Sequence, residues 1–145
     1  MTESKESIQR LMNEYCYLID QGDLEGFAGL FEHGRFGIIG DPSSPRIGKS
    51  EVLAMLRNVT LYNGKPQTKH VLSNVQIDVS ASGKEASARS YITVFQPLPD
   101  FPLQAIFCGH YFDQFIRKNG TWRFASREIS PDLVGNLSRH RADMA

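Results

Sequence analysis

Residues 15–31, YCYLIDQGDLEGFAGLF, join two helical patterns through a glycine, and the reading of this stretch decides the fold. Upstream, Ile8, Leu11, Met12, Tyr15, Leu18 and Ile19 recur every three or four residues and predict a helix from about Ser4 to Ile19 or Asp20 with one apolar stripe. Gly22 is its natural stop, and Asp23 is a good N-cap for a short second helix running through Phe31. The two helices should pack as a corner. Asp20 is out of place in this pattern, because a carboxylate at a helix C-terminus faces the negative end of the helix dipole.

Downstream, RFGIIG (35–40) reads as a short strand and DPSSPRIGK (41–49) as a loop. A third helix is predicted from about Ser50 to Tyr62, burying Val52, Leu53, Met55, Leu56 and Val59. From Gln67 the period changes to two, giving strands at 69–80, 85–97, 103–118 and 121–130. ASGK and KNG are tight turns between strands, whereas PLPDFP (97–102) reads as a longer loop. Helices followed by a run of antiparallel strands is the α+β pattern, a strongly curved sheet with helices on one face. Residues 1–145 form one domain, with 131–145 a polar, irregular C-terminal tail.

Composition narrows the function. Sixteen Lys plus Arg balance sixteen Asp plus Glu, so no basic footprint for nucleic acid or a membrane surface is present. Cys16 and Cys108 stand far apart and read as reduced thiols; with no apolar run near ~20 residues, the chain is expected to be cytoplasmic and to span no membrane. His33, His70, His110 and His140 lack metal-ligand spacing, and no glycine-rich phosphate motif occurs, so neither metal nor cofactor is expected.

The order helix, helix, strand, helix, four long strands resembles the SnoaL-like branch of the nuclear transport factor 2-like superfamily. The matching pieces are YCYLIDQGDLEGFAGLF, GKSEVLAML, KHVLSNVQI, GHYFDQFIRKNGTWRF and the following SRE. The resemblance implies a conical, cystatin-like α+β barrel, three helices on a curved, mixed and mostly antiparallel sheet that encloses an apolar pocket. Members include scytalone dehydratase, bile acid 7α-dehydratase and a dehydrochlorinase, and several members are not catalysts. The dehydratase-like members carry an Asp at the end of the first helix and a His on the strand after the third, which fall on Asp20 and His70. Tyr15 matches a substrate-contacting Tyr, His110 loosely matches a second pocket His, and Arg127 aligns with a pocket Arg. Phe31 and Phe107 are the candidate apolar substrate contacts.

These residues would support proton abstraction, with His70 as base, Asp20 fixing its tautomer, and Tyr15 or His110 donating to a developing oxyanion. Each also has a plainer reading. Asp20 lies at the flank of the helix stripe and could be a solvated acid in a turn. Strict alternation places Val71, Val75, Ile77 and Val79 on one strand face and His70, Leu72, Asn74 and Gln76 on the other, unless a bulge near Ser73 shifts them. Tyr15 could be a core aromatic, His110 a structural histidine, and Arg127 half of a salt bridge. In the strand 103–118, Leu103, Ala105, Phe107, Gly109, Tyr111 and Phe115 are expected on one face, with an apolar second face suited to a homodimer or homotrimer. DPSSPR and PLPDFP are expected over the pocket mouth, with Phe101 as a lid. The expected activity is that of a cofactor-independent lyase or isomerase, dehydratase-like, on a small apolar ring compound such as a steroid, polyketide, terpenoid or aromatic. The alternative is a non-catalytic small-molecule-binding or subunit-interaction module of the same fold.

Overall fold

The computed structural model describes residues 2–144. Helices α1 (Thr2–Gln21), α2 (Leu24–Gly29) and α3 (Gly48–Leu56) pack on strands β1 (Arg35–Ile38), β2 (Arg46–Ile47), β3 (Lys69–Val79), β4 (Glu85–Leu98), β5 (Phe101–Lys118) and β6 (Thr121–Val134). The six strands form one sheet in the order β2-β1-β6-β5-β4-β3. β1 runs parallel to β6, and the other neighbours are antiparallel. The fold is α+β, as the periodicity predicts.

The α1 stripe buries Ile8, Met12, Tyr15 and Ile19. They meet Phe27 and Phe31 at the helical corner and Phe36, Phe115 and Phe124 from the sheet, a set in which Phe31 and Phe124 stack at 5.0 Å between ring centroids. Each such side chain contributes roughly 1.5–3 kcal/mol of transfer free energy on burial, which is why this stripe outweighs local propensity. Asp23 caps α2, its Oδ1 accepting from the Gly26 N–H at 2.8 Å. Gly22 ends α1 at φ +78°, and a side chain there would collide with the Gly64 carbonyl. That close approach draws the segment entering β3 against the end of α1.

Three of the strand irregularities change the expected faces or turns. In β3, Ser73 pairs with Tyr91 and Gln76 with Arg89, so β3 carries one residue more than β4 between those pairs. Asn74 takes the left-handed conformation there, at φ 54°. The bulge puts His70 and Leu72 on the inner face together with Val75, Ile77 and Val79. In β5, the register shifts where Val94 meets Phe107 and Phe95 meets Ala105, so Ile106 and Phe107 are both buried and Leu103 is 70% exposed. The expected single face holding Leu103, Ala105 and Phe107 is therefore broken. The third lies where PLPDFP was expected to be a long loop: Leu98 pairs with Phe101, and Pro99 and Asp100 make a tight reversal. Pro97, which lacks an N–H, falls at a register shift outside the ladder.

α3 is shorter than expected and ends at Leu56, after which the Thr60 N–H donates to the His140 carbonyl at 2.9 Å. Of the expected polar, irregular tail, residues 131–134 extend β6, and residues 135–141 have no helix or strand but pack against the fold. β6 continues to Val134, the chain turns with Gly135 N–H donating to Ile106 O, and Leu137, His140 and Arg141 are buried. The outer sheet face keeps exposed apolar side chains, among them Val71, Tyr91, Phe112 and Leu133. This is the face on which the expectation of a homodimer or homotrimer rests.

Candidate active site

Asp20 lies in the last turn of α1, and Thr68, just before β3, and His70, its second residue, meet it. The Asp20 carboxylate accepts three hydrogen bonds: from the Thr68 hydroxyl at 2.8 Å, the His70 backbone N–H at 2.8 Å and the His70 ring Nδ1 at 2.6 Å. Burial alone would raise the pKa of Asp20, but the His70 ring, the His70 backbone and Thr68 together hold it below the ordinary carboxylate range. An ionised carboxylate only accepts, so Nδ1 carries the proton, and the neutral form of the ring so held has its lone pair on Nε2. The side chains of His70 and Asp20 are 9% and 15% exposed, so the pair is largely withdrawn from water.

His70 reaches a cavity of about 80 Å³ between the helices and the inner sheet face. The same measure needs only about 10–15 Å³ for one water, so the space takes a small organic group. Ile19, Phe27, Met55, Val94 and Phe107 supply apolar wall. Tyr15 and Tyr111 are also on the wall, with rings edge to face at 5.5 Å. Burial pushes the Tyr15 hydroxyl up to about 12 and raises that of Tyr111 well above its usual value, so both stay protonated donors at neutral pH. Burial likewise pushes the neighbouring Cys16 thiol up to about 12, which keeps it un-ionised.

Asp20, His70, Tyr15 and Phe107 are thus brought together, and three other candidates are not. Arg127 lies behind the tyrosines, wholly buried, its Nε and Nη2 donating to Asp113 at 2.7 and 2.8 Å. Its guanidinium is 3.7 Å from the Tyr111 ring centroid and 4.4 Å from that of Tyr15, so it supports the wall from behind. Burial would lower the Arg127 pKa, and the Asp113 carboxylate more than reverses that. His110 stacks on Phe112 at 4.2 Å and meets Tyr91 at 5.2 Å on the outer sheet face. Phe31 belongs to the aromatic core, in contact with Phe36 and Phe124.

The C-terminal segment covers the cavity instead of the expected loops. Leu137, His140, Arg141 and Met144 all line it. The segment is held by Arg139, which pairs with Asp100 through two 3.0 Å hydrogen bonds and whose carbonyl accepts from Tyr62 Oη and Gln96 Nε2. Phe101 lies under the Arg139 guanidinium at 5.7 Å, buried, and is not on the cavity wall. Sequence reasoning missed His140 and Tyr111 as site residues. Tyr111 shares the inner face with Phe107 and was legible as such, whereas His140 stands in a polar run whose burial has no local signal. Among the described residues no group of three or more His, Cys, Asp or Glu is arranged to hold a metal ion, and no helix is long and apolar enough to cross a membrane.

With this geometry in hand, comparison with family models finds a match to the SnoaL-like domain over residues 1–128. The chain belongs to the SnoaL-like family. Among solved structures, this SnoaL-like protein resembles a Novosphingobium aromaticivorans protein provisionally assigned as a scytalone dehydratase, at 28% identity over 92% of this chain and 89% of that one, with a TM-score of 0.73. A Mycobacterium tuberculosis protein of unknown function is also 28% identical, over 88% of this chain and 71% of its own, with a TM-score of 0.71. A nuclear transport factor 2-like protein with a cystatin-like fold from Novosphingobium aromaticivorans shares the fold at 23% identity, covering 90% and 82% of the two chains with a TM-score of 0.75. No curated protein matches the sequence.

Proposed function

We propose that the protein is a lyase or isomerase of the dehydratase type, removing a carbon-bound proton from a small apolar ring compound. The observation that carries this reading is the 2.6 Å hydrogen bond between Asp20 and His70 on the wall of an apolar cavity. His70 Nε2 takes the proton from the carbon beside a ring carbonyl, and the C–H electron pair forms a double bond to the carbonyl carbon. The carbonyl π pair moves onto its oxygen as an enolate, which later collapses back as the proton returns or the leaving oxygen departs. Asp20 stabilises the imidazolium so formed and keeps the ring aimed, the part a carboxylate takes in a hydrolase triad. The Tyr15 hydroxyl donates to the oxygen on which charge develops. The imidazolium then returns its proton, to another carbon in an isomerisation or to a departing oxygen in an elimination. Written this way, the reaction balances without an oxidant or reductant. The likeness to a provisionally assigned scytalone dehydratase supports the same reaction class.

The test is exchange of α-protons on simple cyclic ketones in D2O, followed by proton NMR. The wild-type protein should accelerate exchange, His70→Gln should abolish it, and Asp20→Asn should lower it by about 10²–10⁴-fold, the range for loss of an oriented general base. Full exchange by His70→Gln would overturn the reading. Ligand binding with no exchange in any form would assign the chain to the non-catalytic alternative.

A further inference from the structure

The sheet carries a buried ion pair that the proton transfer above does not use. Arg127 and Asp113 face each other across β6 and β5, and neither side chain has surface open to water. Hydrogen bonds of 2.7 Å from Nε and 2.8 Å from Nη2 hold the guanidinium in a bidentate fork. Such a pair is weak evidence for stability, because well-packed apolar residues of the same volume serve as well or better. Its surroundings give it another use. The guanidinium carbon lies 3.7 Å from the Tyr111 ring centroid, 4.4 Å from that of Tyr15 and 4.9 Å from that of Phe124, all within reach of cation–π attraction. Asp113 does not exhaust the guanidinium, since Nη1 is buried with no acceptor among the described residues. With water excluded, a charge acts across distances at which solvent would damp it.

Tyr15 is where that charge reaches the site, because its buried ring is part of the cavity wall. The titratable groups that bear on its hydroxyl are Arg127, Tyr111, Cys16 and Asp113. Burial raises the pKa of Tyr111 and Cys16, so at neutral pH both are uncharged and the ion pair supplies the charge. Arg127 is the largest influence opposing the upward push of burial on Tyr15, and Asp113, acting the other way, is the smallest.

We infer that Arg127 is a positioning residue that acts through Tyr15: held by Asp113, its buried positive charge lies against the phenol ring and strengthens the hydroxyl as a donor. This rests on the proposed function for the oxygen that receives the hydrogen bond, but its own content is the link between charge and hydroxyl. An arginine that served only as packing would set the place of the ring and leave its acidity alone.

The experiment replaces Tyr15 with 3-fluorotyrosine in the full chain and follows the titration of that ring by fluorine NMR. Arg127→Gln combined with Asp113→Asn removes both charges at once and should raise the midpoint by about one pH unit or more, roughly tenfold in acid strength. Asp113→Asn alone leaves the cation uncompensated and should lower the midpoint. Arg127→Lys, which keeps the charge without the fork, should hold it near the wild-type value. If the double variant does not fold, the two single variants still decide the matter. A midpoint that stays put in the double variant, or that fails to fall with Asp113→Asn, would overturn the inference. Proton exchange on cyclic ketones ties the charge to the chemistry. The double variant should slow exchange by up to about tenfold when Tyr15 is present and change it little in Tyr15→Phe, because effects that act through one residue do not add. Equal slowing in both backgrounds would also overturn the inference. Midpoints that move as stated, with no exchange by the wild-type protein, would sink the proposed lyase or isomerase activity and leave this inference standing.

Discussion

At the carbonyl end of α1 the Asp20 carboxylate meets three donors, and each stabilises its charged form against the helix dipole. His140 is the opposite case, a group whose charged form the fold suppresses. Both make the protein acid-sensitive. The folded-state pKa of Asp20 lies below that of the unfolded chain, so its stabilisation is present above the unfolded value of about 3.9 and is lost as pH falls through the folded one. His140 titrates near 6.5 when unfolded and at about 3 when folded, so between those values the unfolded state binds more protons and stability falls as pH falls. Urea unfolding from pH 7 to pH 3 should show this decline, at up to about 1.4 kcal/mol per pH unit from His140. His140→Gln should flatten it through that window, and Asp20→Asn should flatten only its most acidic part. The Asp20 anomaly was legible in the sequence as a charge in the wrong place. Its partner was legible only through the resemblance, because alternation by itself turned His70 away from the pocket.

At the scale of elements, the hydrogen-bonded Asp20–His70 pair depends on two backbone features. The bulge at Asn74 turns His70 inward, and Gly22 lets the Gly64 backbone approach so that Thr68 and His70 reach the end of α1. Replacing Gly22 with Ala adds a left-handed strain of about 1 kcal/mol or more to a steric collision. Gly22→Ala should therefore lower the chemical-denaturation midpoint and, by pushing the two segments apart, reduce proton exchange as well. A variant with unchanged stability and activity would refute this account of how the pair is held. The strands themselves were legible from their period of two. Their bulges were not fixed by it: a bulge near Ser73 was open only as an alternative, since one extra residue leaves no mark on composition, and Asn74, a residue tolerant of positive φ, is a local trace of it. The bulge in β5 likewise decides that Phe107 and Ile106 are both buried while Leu103 faces water.

At the scale of the molecule, the C-terminal segment completes the cavity that the helices and sheet leave open. Leu137 anchors it, 3% exposed, and Arg139 ties it to Tyr62, Gln96 and Asp100. Leu137→Ala should cost about 2–3 kcal/mol and speed amide hydrogen exchange in residues 135–144 more than elsewhere. Uniform acceleration across the chain would count against a separately anchored segment. Local periodicity was enough to specify the helices, the run of long strands and the α+β class, because each element's apolar pattern reflects a face it must bury whatever its neighbours are. Contacts between residues as distant as Thr60 and His140, or Asp100 and Arg139, are what turn a polar C-terminus into a cavity wall. No window of sequence contains both partners of such a contact, so the covering of the site and the presence of His140 in it come from the closed fold alone.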